Sequence, residues 1–193
     1  MSERPRVRGG RRRPDAVTTA TPTAPAGTDG RRIAVTLEPL TRPDLVRLAR
    51  GATSARLAAR TLTDALPPPF VAQRALARLA AGQDGYWCGV FHIVRSADAA
   101  VIGGCGFKGA PVDGRVEIGY GVAPACRRRG VATQAVRELV RLAFARADVT
   151  AVLAQVNPDN VASTRVVVTL GFAGGAASRD HEGEMLVPWV LRR

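Results

Sequence analysis

Apolar positions follow two different periods along this chain. In residues 115–122, Val116, Ile118 and Tyr120 alternate with polar or small residues, which is typical of a half-buried strand. In residues 131–146, apolar residues recur at four-residue spacing and predict an amphipathic helix. The remaining pattern predicts strands over 32–40, 87–95, 100–107, 151–156 and 184–191, and helices over 44–59, 70–81 and 161–170. Early strands followed by alternating strands and helices indicate an α/β fold with a mixed sheet.

A turn rich in arginine joins the strand over 115–122 to the helix that follows it. Arg127, Arg128 and Arg129 carry positive charge, and Gly130 lets the backbone approach an anion without a Cβ in the way. A helix start adds unpaired N–H groups and the positive end of the helix dipole. The arrangement predicts a phosphate-binding turn; the alternative is an ordinary helix start with a solvated basic cluster.

The spacing of this turn carries a family resemblance. Arg127-x-x-Gly130-x-Ala132 after a strand resembles the acyl-CoA pyrophosphate loop of the GNAT N-acetyltransferase superfamily. The turn has neither the Gly-Lys-Ser/Thr of a P-loop nor the glycine spacing of a dinucleotide fingerprint.

A second motif follows in the expected order. Asn160-x-x-Ser163, ahead of Leu170-Gly171-Phe172, resembles the ending of the GNAT branch that contains the ribosomal-protein alanine N-acetyltransferases. Asn160 is also a good helix N-cap and Ser163 a common first-turn residue, and these structural roles are compatible with functional ones. The resemblance spans residues 33 to 191.

The resemblance implies a mostly antiparallel mixed sheet, flanked by helices, in which a central parallel pair of strands splays apart. Strands 115–122 and 151–156 are the expected pair, and acetyl-CoA is the expected co-substrate, with its pantetheine arm in the gap. The candidate contacts are two backbone partners at the strand end, the pyrophosphate loop and two asparagines: Gly121, Val122, Arg127, Arg128, Arg129, Gly130, Val131, Ala132, Thr133, Asn157 and Asn160.

Acetyl transfer to an amine needs a base for the amine and assistance for the leaving thiolate. Glu117 alternates out of phase with the apolar strand positions and is the candidate base; alternatively it pairs with an arginine such as Arg115 or orients the acceptor. Many GNAT enzymes protonate the thiolate with a tyrosine where this chain has Val167, so Ser163 at a helix start is the favoured substitute. Tyr120 has the phase of a core residue.

Composition limits the other readings. The chain has 193 residues, 46% of them hydrophobic, and a net charge of +12 that is spread along its length. One domain over 31–193 is expected behind a disordered tail over 1–30, rich in arginine, proline and threonine. A solvated tail is favoured over an arm that contacts nucleic acid or the ribosome.

Location and metal content follow from what the sequence lacks. Neither a membrane-spanning run nor a signal peptide is visible, and Cys88 and Cys105 lie in apolar strands where buried thiols are expected, so a cytoplasmic location is favoured. The two histidines form no ligand cluster, and no metal is expected.

Three functions remain. The first is an acetyl-CoA-dependent N-acetyltransferase that acts in a ternary complex on a primary amine, either a protein N-terminus or a small amine, as a monomer or homodimer. The second is a non-catalytic acyl-CoA-binding regulatory module. The third, a nucleic-acid-binding protein, is disfavoured because aromatic residues make up only 5% of the chain and form no stacking platform.

Overall fold

The computed structural model of the protein describes residue 1 and residues 32–193, so the tail predicted over 1–30 lies, apart from Met1, outside the described residues. Residues 32–193 form eight strands and five α-helices. The strands are β1 (Val35–Pro39), β2 (Val90–Arg95), β3 (Val101–Phe107), β4 (Arg115–Val122), β5 (Ala151–Val156), β6 (Ala173–Gly174), β7 (Ser178–Arg179) and β8 (Met185–Arg192). The helices are α1 (Arg42–Ala49), α2 (Ala55–Ala58), α3 (Pro69–Ala80), α4 (Val131–Phe144) and α5 (Val161–Thr169).

The strands form one sheet in the order β1-β2-β3-β4-β5-β8-β6, with β7 paired to β8. The pairing of β4 with β5 is parallel, whereas the other strand pairs are antiparallel. The predicted mixed, mostly antiparallel sheet with a central parallel pair is confirmed. A parallel pair requires a crossover connection, and α4 supplies it between β4 and β5.

The four-residue spacing of α4 marks the face that packs on the sheet. Val131, Ala135, Leu139 and Ala143 are all at most 2% exposed and belong to the main core. They pack with the inward residues of the central strands, among them Val116, Ile118 and Val152. Burial of this stripe fixes α4, and with it the turn that precedes α4, against β4.

The helix predicted over 44–59 is wrong as one element, because the segment forms α1 and α2. Gly51 takes a φ of +70° just after α1, a conformation that favours glycine and ends the helix. Ser54 then starts α2, and its hydroxyl accepts a hydrogen bond from the N–H of Leu57 at 3.3 Å. The other predicted helices and strands are present with ends shifted by a few residues, and the two-residue strands β6 and β7 were not predicted.

The glycine-rich strand β3 contains a bulge. Ile93 pairs with Gly103 and Val94 pairs with Val101, so Ile102 is an extra residue on β3. Bulges increase the local twist of a sheet, and this one lies in the strand next to β4.

Two further properties concern the state of the cysteines and the length of the helices. Cys88, Cys105 and Cys126 are free and buried, as predicted for the first two. In the part of the chain that is described, no helix has the length and apolar character needed to cross a bilayer.

His92 is a buried polar residue in the middle of β2. It is 2% exposed, and neither ring nitrogen has a hydrogen-bond partner among the described residues. Burial lowers the pKa of His92; Glu38 and Asp44 oppose this shift and Arg60 adds to it. The folded state therefore favours the neutral imidazole, and protonation of His92 lowers the free energy of unfolding.

We expect stability to fall as the pH drops below about 6.5, the ordinary pKa of histidine, because the unfolded chain then binds a proton that the folded state resists. The loss amounts to at most about 2 kcal/mol between pH 6.5 and 5. His92→Leu should lose this acid dependence while keeping stability near neutral pH, as measured by urea unfolding at a series of pH values. The matched control is His181→Leu, since the side chain of His181 is 88% exposed; an unchanged acid limb in His92→Leu would contradict the assignment.

Candidate functional site

The two central strands are paired over only part of their length. Parallel pairing of β4 with β5 ends at Ile118 and Ala154. Beyond this point β4 continues to Val122 in pairing with β3, and β5 continues to Val156 in pairing with β8. The strand ends are thus held apart by their outer neighbours, and the expected splay of the central pair is present as a gap in the sheet.

The ladder between β3 and β4 decides which backbone groups face this gap. The N–H of Lys108 donates to the C=O of Glu117 at 2.8 Å, so the odd-numbered residues of β4 bond to β3. The even-numbered Tyr120 and Val122 consequently direct their N–H and C=O groups toward the gap. This orientation depends on pairing register, which the pattern of one strand does not reveal.

The prediction that Gly121 offers its backbone to the gap needs correction. Its carbonyl oxygen is directed at β3, where a Cβ on Gly103 would lie only 2.4 Å from it. Val122 has the predicted orientation, and its C=O accepts a hydrogen bond from Nε of Arg127 at 3.0 Å. Tyr120 takes the place of Gly121 as the second backbone group on this side of the gap.

The turn before α4 has the geometry of an anion cradle. Gly130 is the N-cap of α4 with a φ of +75°, and no side chain caps the helix. A Cβ at Gly130 would find its nearest neighbours 3.8 Å away, at ordinary van der Waals distance, so other atoms do not crowd the turn at this residue. The first three N–H groups of α4 find no acceptor among the described residues: Val131, Ala132 and Thr133. These groups could hold a phosphate at the positive end of the helix dipole.

The arginines of the turn differ in their surroundings. Arg127 and Arg128 are exposed, and Arg128 has a φ of +62°. The C=O of Arg129 accepts from the N–H of Ile33 at 3.1 Å, and Nε2 of Gln134 donates to the C=O of Ile33 at 2.6 Å. The turn is therefore anchored to the segment before β1, a contribution of Gln134 that sequence reasoning missed because its partner is distant in the chain.

Asn160 and Ser163 form the first turn of α5. Oδ1 of Asn160 accepts the N–H of Ser163 at 3.0 Å, so the N-cap role proposed for Asn160 is confirmed. The amide of Asn157 is engaged at both ends: Nδ2 donates to Glu184 at 3.1 Å, and Oδ1 accepts from the N–H of Asp159 at 2.9 Å. Asn157 thus has less freedom to contact a ligand than Asn160.

The side chain of Tyr120 extends from β4 to α5. The alternation along the strand predicted a core residue and did not indicate this contact. Its hydroxyl donates to the C=O of Ser163 at 3.3 Å. Burial raises the pKa of Tyr120, and the hydrogen bond to Ser163 opposes this only partly. The phenol therefore stays protonated at neutral pH. Val167, at the position of the family's tyrosine, is fully buried in the core.

Glu117 lies on the other side of β4 and pairs with Lys108. The carboxylate and the ammonium group are 2.5 Å apart, and both side chains are partly exposed. The alternative to the base role was pairing with an arginine such as Arg115; the observed partner is the chain's single lysine. The stem of Lys108 lies over Gly119, where a Cβ would be 3.6 Å from Cε.

A cavity of about 450 Å³ opens on the same side of the sheet as the ion pair. Its floor is formed by the ends of β3 and β4, and its far wall by α3 and the segment before it. The residues that line it from the two sides include Pro68, Phe70, Val71, Arg74, Phe107, Lys108, Gly119, Tyr120, Gly121, Val122 and Arg127. A larger groove of about 580 Å³ lies between β1 and α4, away from the gap, and lacks these groups.

A family model described as an acetyltransferase (GNAT) domain matches residues 34–173. The chain belongs to the GNAT acetyltransferase family. The match includes β4, the turn before α4 and the whole of α5, which are the elements that form the gap and its two borders.

Individual relatives of this GNAT chain agree with that assignment. The uncharacterized N-acetyltransferase YjdG of Bacillus subtilis (strain 168) is 33% identical over 91 residues, which cover 47% of this chain and 54% of the relative. The chain thus spans about half the length of the curated relatives it matches.

Solved structures share the fold. The ribosomal-protein-S5-alanine acetyltransferase from Vibrio fischeri has a TM-score of 0.58 at 14% identity, covering 82% of this chain and 92% of its own. The aminoglycoside acetyltransferase AAC(6')-Ib, in complex with coenzyme A and kanamycin, has a TM-score of 0.57 at 21% identity, covering 83% and 95%.

Close approach of β3 to β4 should make Gly103 hard to replace. In Gly103→Ala the added Cβ would meet the carbonyl oxygen of Gly121 at 2.4 Å, so the strands must separate, at a cost of roughly 1–3 kcal/mol in the free energy of unfolding. Gly121→Ala is the matched control, because a Cβ there meets nothing within 4 Å. Urea unfolding of both variants measures the difference; equal losses would show that the strands are not in close contact.

Proposed function

We propose that the protein is an acetyl-CoA-dependent N-acetyltransferase that transfers the acetyl group directly to a primary amine in a ternary complex. The observation that carries the proposal is the position of the gap between an anion cradle and a cavity. Arg127 belongs to the turn before α4 and also lines the cavity, and its Nε holds the C=O of Val122 at the strand end. A long anionic ligand and an amine could thus meet at the gap from two sides.

The residues fit acetyl-CoA as a co-substrate. The free N–H groups of Val131, Ala132 and Thr133 and the side chains of Arg127 and Arg128 would hold the pyrophosphate, while Gly130 leaves the necessary space. The backbone of Val122 and Tyr120 would pair with the pantetheine arm. Asn160, whose Nδ2 is not used in the cap, would contact the arm from α5.

Bound acetyl-CoA supplies an acetyl group activated as a thioester. A backbone N–H of β4 at the gap would stabilise negative charge on the carbonyl oxygen as the C–N bond forms and the C–S bond breaks. Glu117 would take the proton of the amine through a water molecule, because the ammonium group of Lys108 already contacts the carboxylate. The same ion pair would orient the acceptor.

Tyr120 is the side chain that we add to the proposed mechanism. Its phenol lies beside the first turn of α5, carries a proton at neutral pH and could give that proton to the leaving thiolate. It would take over the task of the family's tyrosine, whose position is occupied by the buried Val167. Ser163 would assist with its hydroxyl and with the dipole of α5.

The acceptor would be a protein N-terminal amine or a small amine, in line with the two kinds of acetyltransferase among the structural neighbours.

The buried free cysteines support the proposed cytoplasmic location. A non-catalytic acyl-CoA-binding module is the second candidate, favoured by the absence of a tyrosine at position 167.

Acetyl-CoA should raise the thermal stability of the protein, because the folded site binds it and the unfolded chain does not. Gly130→Val should weaken the affinity at least about tenfold, since a β-branched residue is strained at this φ and fills the cradle. Isothermal titration calorimetry measures the change. Gly82→Val is the control: its φ of +77° imposes the same kind of strain, and a Cβ there, at the end of α3, meets nothing within 4 Å. No binding of acetyl-CoA to the wild type would end the proposal.

Turnover separates the enzyme from the binding module. Tyr120→Phe should lower kcat roughly 10²-fold with little effect on acetyl-CoA affinity, because only the acidic hydroxyl is lost. Ser163→Ala should lower kcat about tenfold, the value of one neutral hydrogen bond. Release of CoA with a panel of amines provides the assay. Full turnover by Tyr120→Phe would remove its phenol from the mechanism, and tight binding without turnover by the wild type would favour the module.

A further inference from the structure

The cavity beside the gap has an excess of positive charge. Arg74, Lys108 and Arg127 line it, whereas Asp64 is the acidic residue among the lining residues. Asp64 is exposed at the rim, and the nearby carboxylate of Glu117 is held by Lys108. The guanidinium groups of Arg74 and Arg127 are therefore not neutralised by acids inside the cavity.

Arg74 is the most informative of these cations. It is half-buried on α3 and makes no hydrogen bond with any residue in the described part of the chain. Burial lowers the pKa of Arg74, and Arg78 lowers it further, while Glu117 opposes the shift. The wall beside it is apolar, formed by Phe70, Val71 and neighbouring residues.

Partial burial of a guanidinium that has no partner is unfavourable unless a ligand pairs with its charge and accepts its hydrogen bonds. Its planar fork matches a carboxylate with two parallel hydrogen bonds, and the partial desolvation of the site would strengthen both of them. Arg127 cannot fill this role equally well, because its Nε already holds the C=O of Val122 beside the anion cradle. The lining of the cavity therefore selects for a ligand with negative charge on the α3 side.

We propose that the amine acceptor carries a carboxylate near its primary amine and that Arg74 binds this carboxylate. The proposal rests on the proposed acetyltransferase function and names the acceptor class of the same site. With the carboxylate on α3, the amine of a small molecule or of a peptide terminus would point to the floor at Gly119, beside Lys108 and Glu117. The carboxylate belongs either to a free amino acid or to an acidic side chain close to a peptide N-terminus.

A polycationic acceptor would face repulsion in this cavity. Kanamycin, which is bound in one structural neighbour, carries several ammonium groups and no anion to pair with Arg74. Like charges placed in a partly desolvated cavity disfavour binding. The same residues that accept a carboxylate thus exclude aminoglycosides as acceptors of this chain.

Paired acceptors test the proposal on the full-length protein. Glutamine is compared with glutaminamide, the peptide Ser-Glu-Ala-amide with Ser-Gln-Ala-amide, and kanamycin is added as the polycation; CoA release is measured. The wild type should prefer the acid over the neutral member of at least one pair about ten- to hundredfold in kcat/KM, the value of a charged hydrogen bond. Preference within the first pair assigns a free amino acid, and within the second pair a peptide. Equal use of acid and neutral members, or preference for kanamycin, would overturn the proposal.

Three variants connect any preference to Arg74. Arg74→Gln should abolish the preference by lowering kcat/KM for the acid toward the value for the neutral member, and Arg74→Lys should restore part of it. Arg78→Gln is the matched control, since Arg78 lies one turn further along α3 and packs on Gly109 outside the cavity. A preference that survives in Arg74→Gln would place the carboxylate elsewhere.

Failure of the proposed function has a different outcome. If no amine is acetylated although acetyl-CoA binds, the proposed catalysis fails, and binding of N-acetylglutamate to the CoA-loaded protein is measured by calorimetry. Binding that Arg74→Gln weakens about tenfold or more would still support an anion site in the cavity. Absence of such binding, or equal binding by the variant, would refute it.

Discussion

The early end of pairing between β4 and β5 is the constraint on which the rest of the site depends. Backbone groups that lose their partners inside a sheet are costly unless something else binds them. The gap persists because β3 holds β4 as far as Val122 and β8 holds β5 as far as Val156, so closing it would break two other ladders. The N–H groups of Tyr120 and Val122 and the C=O of Tyr120 thereby remain available to a ligand with its own amides, whereas the C=O of Val122 is bound by Arg127.

Two positive features lie on opposite sides of this gap and differ in how they arise. The cradle before α4 is made from backbone: free N–H groups, a left-handed Gly130 and the helix dipole. The cavity under α3 is made from side chains: the half-buried Arg74 lies beside an apolar wall, and Lys108 is paired with Glu117. The backbone cradle has no side chain that selects one ligand, whereas in the cavity the side chains decide which charge is favoured.

Local physics explains which parts of the fold could be predicted. The stripe on α4 and the alternation on β4 follow from periods of a single element, and the arginine turn follows from the residues that connect them. The helix predicted over 44–59 was wrong because Gly51 and Ser54 were not recognised as its interruption. Strands β6 and β7 have two residues each, too few for a period, and exist only because β8 provides their partner.

The sequence by itself determined the family, the sheet class and the strand–turn–helix unit with Gly130 at the helix start, because each rests on contiguous residues whose spacing reflects local conformation. Only the tertiary structure decided that Tyr120 rather than Gly121 faces the gap, that the phenol of Tyr120 meets Ser163, and that Glu117 pairs with Lys108. These facts depend on the register between strands and on contacts between distant segments. A shift of one residue in that register would turn every group to the opposite side, and no pattern within one strand records it.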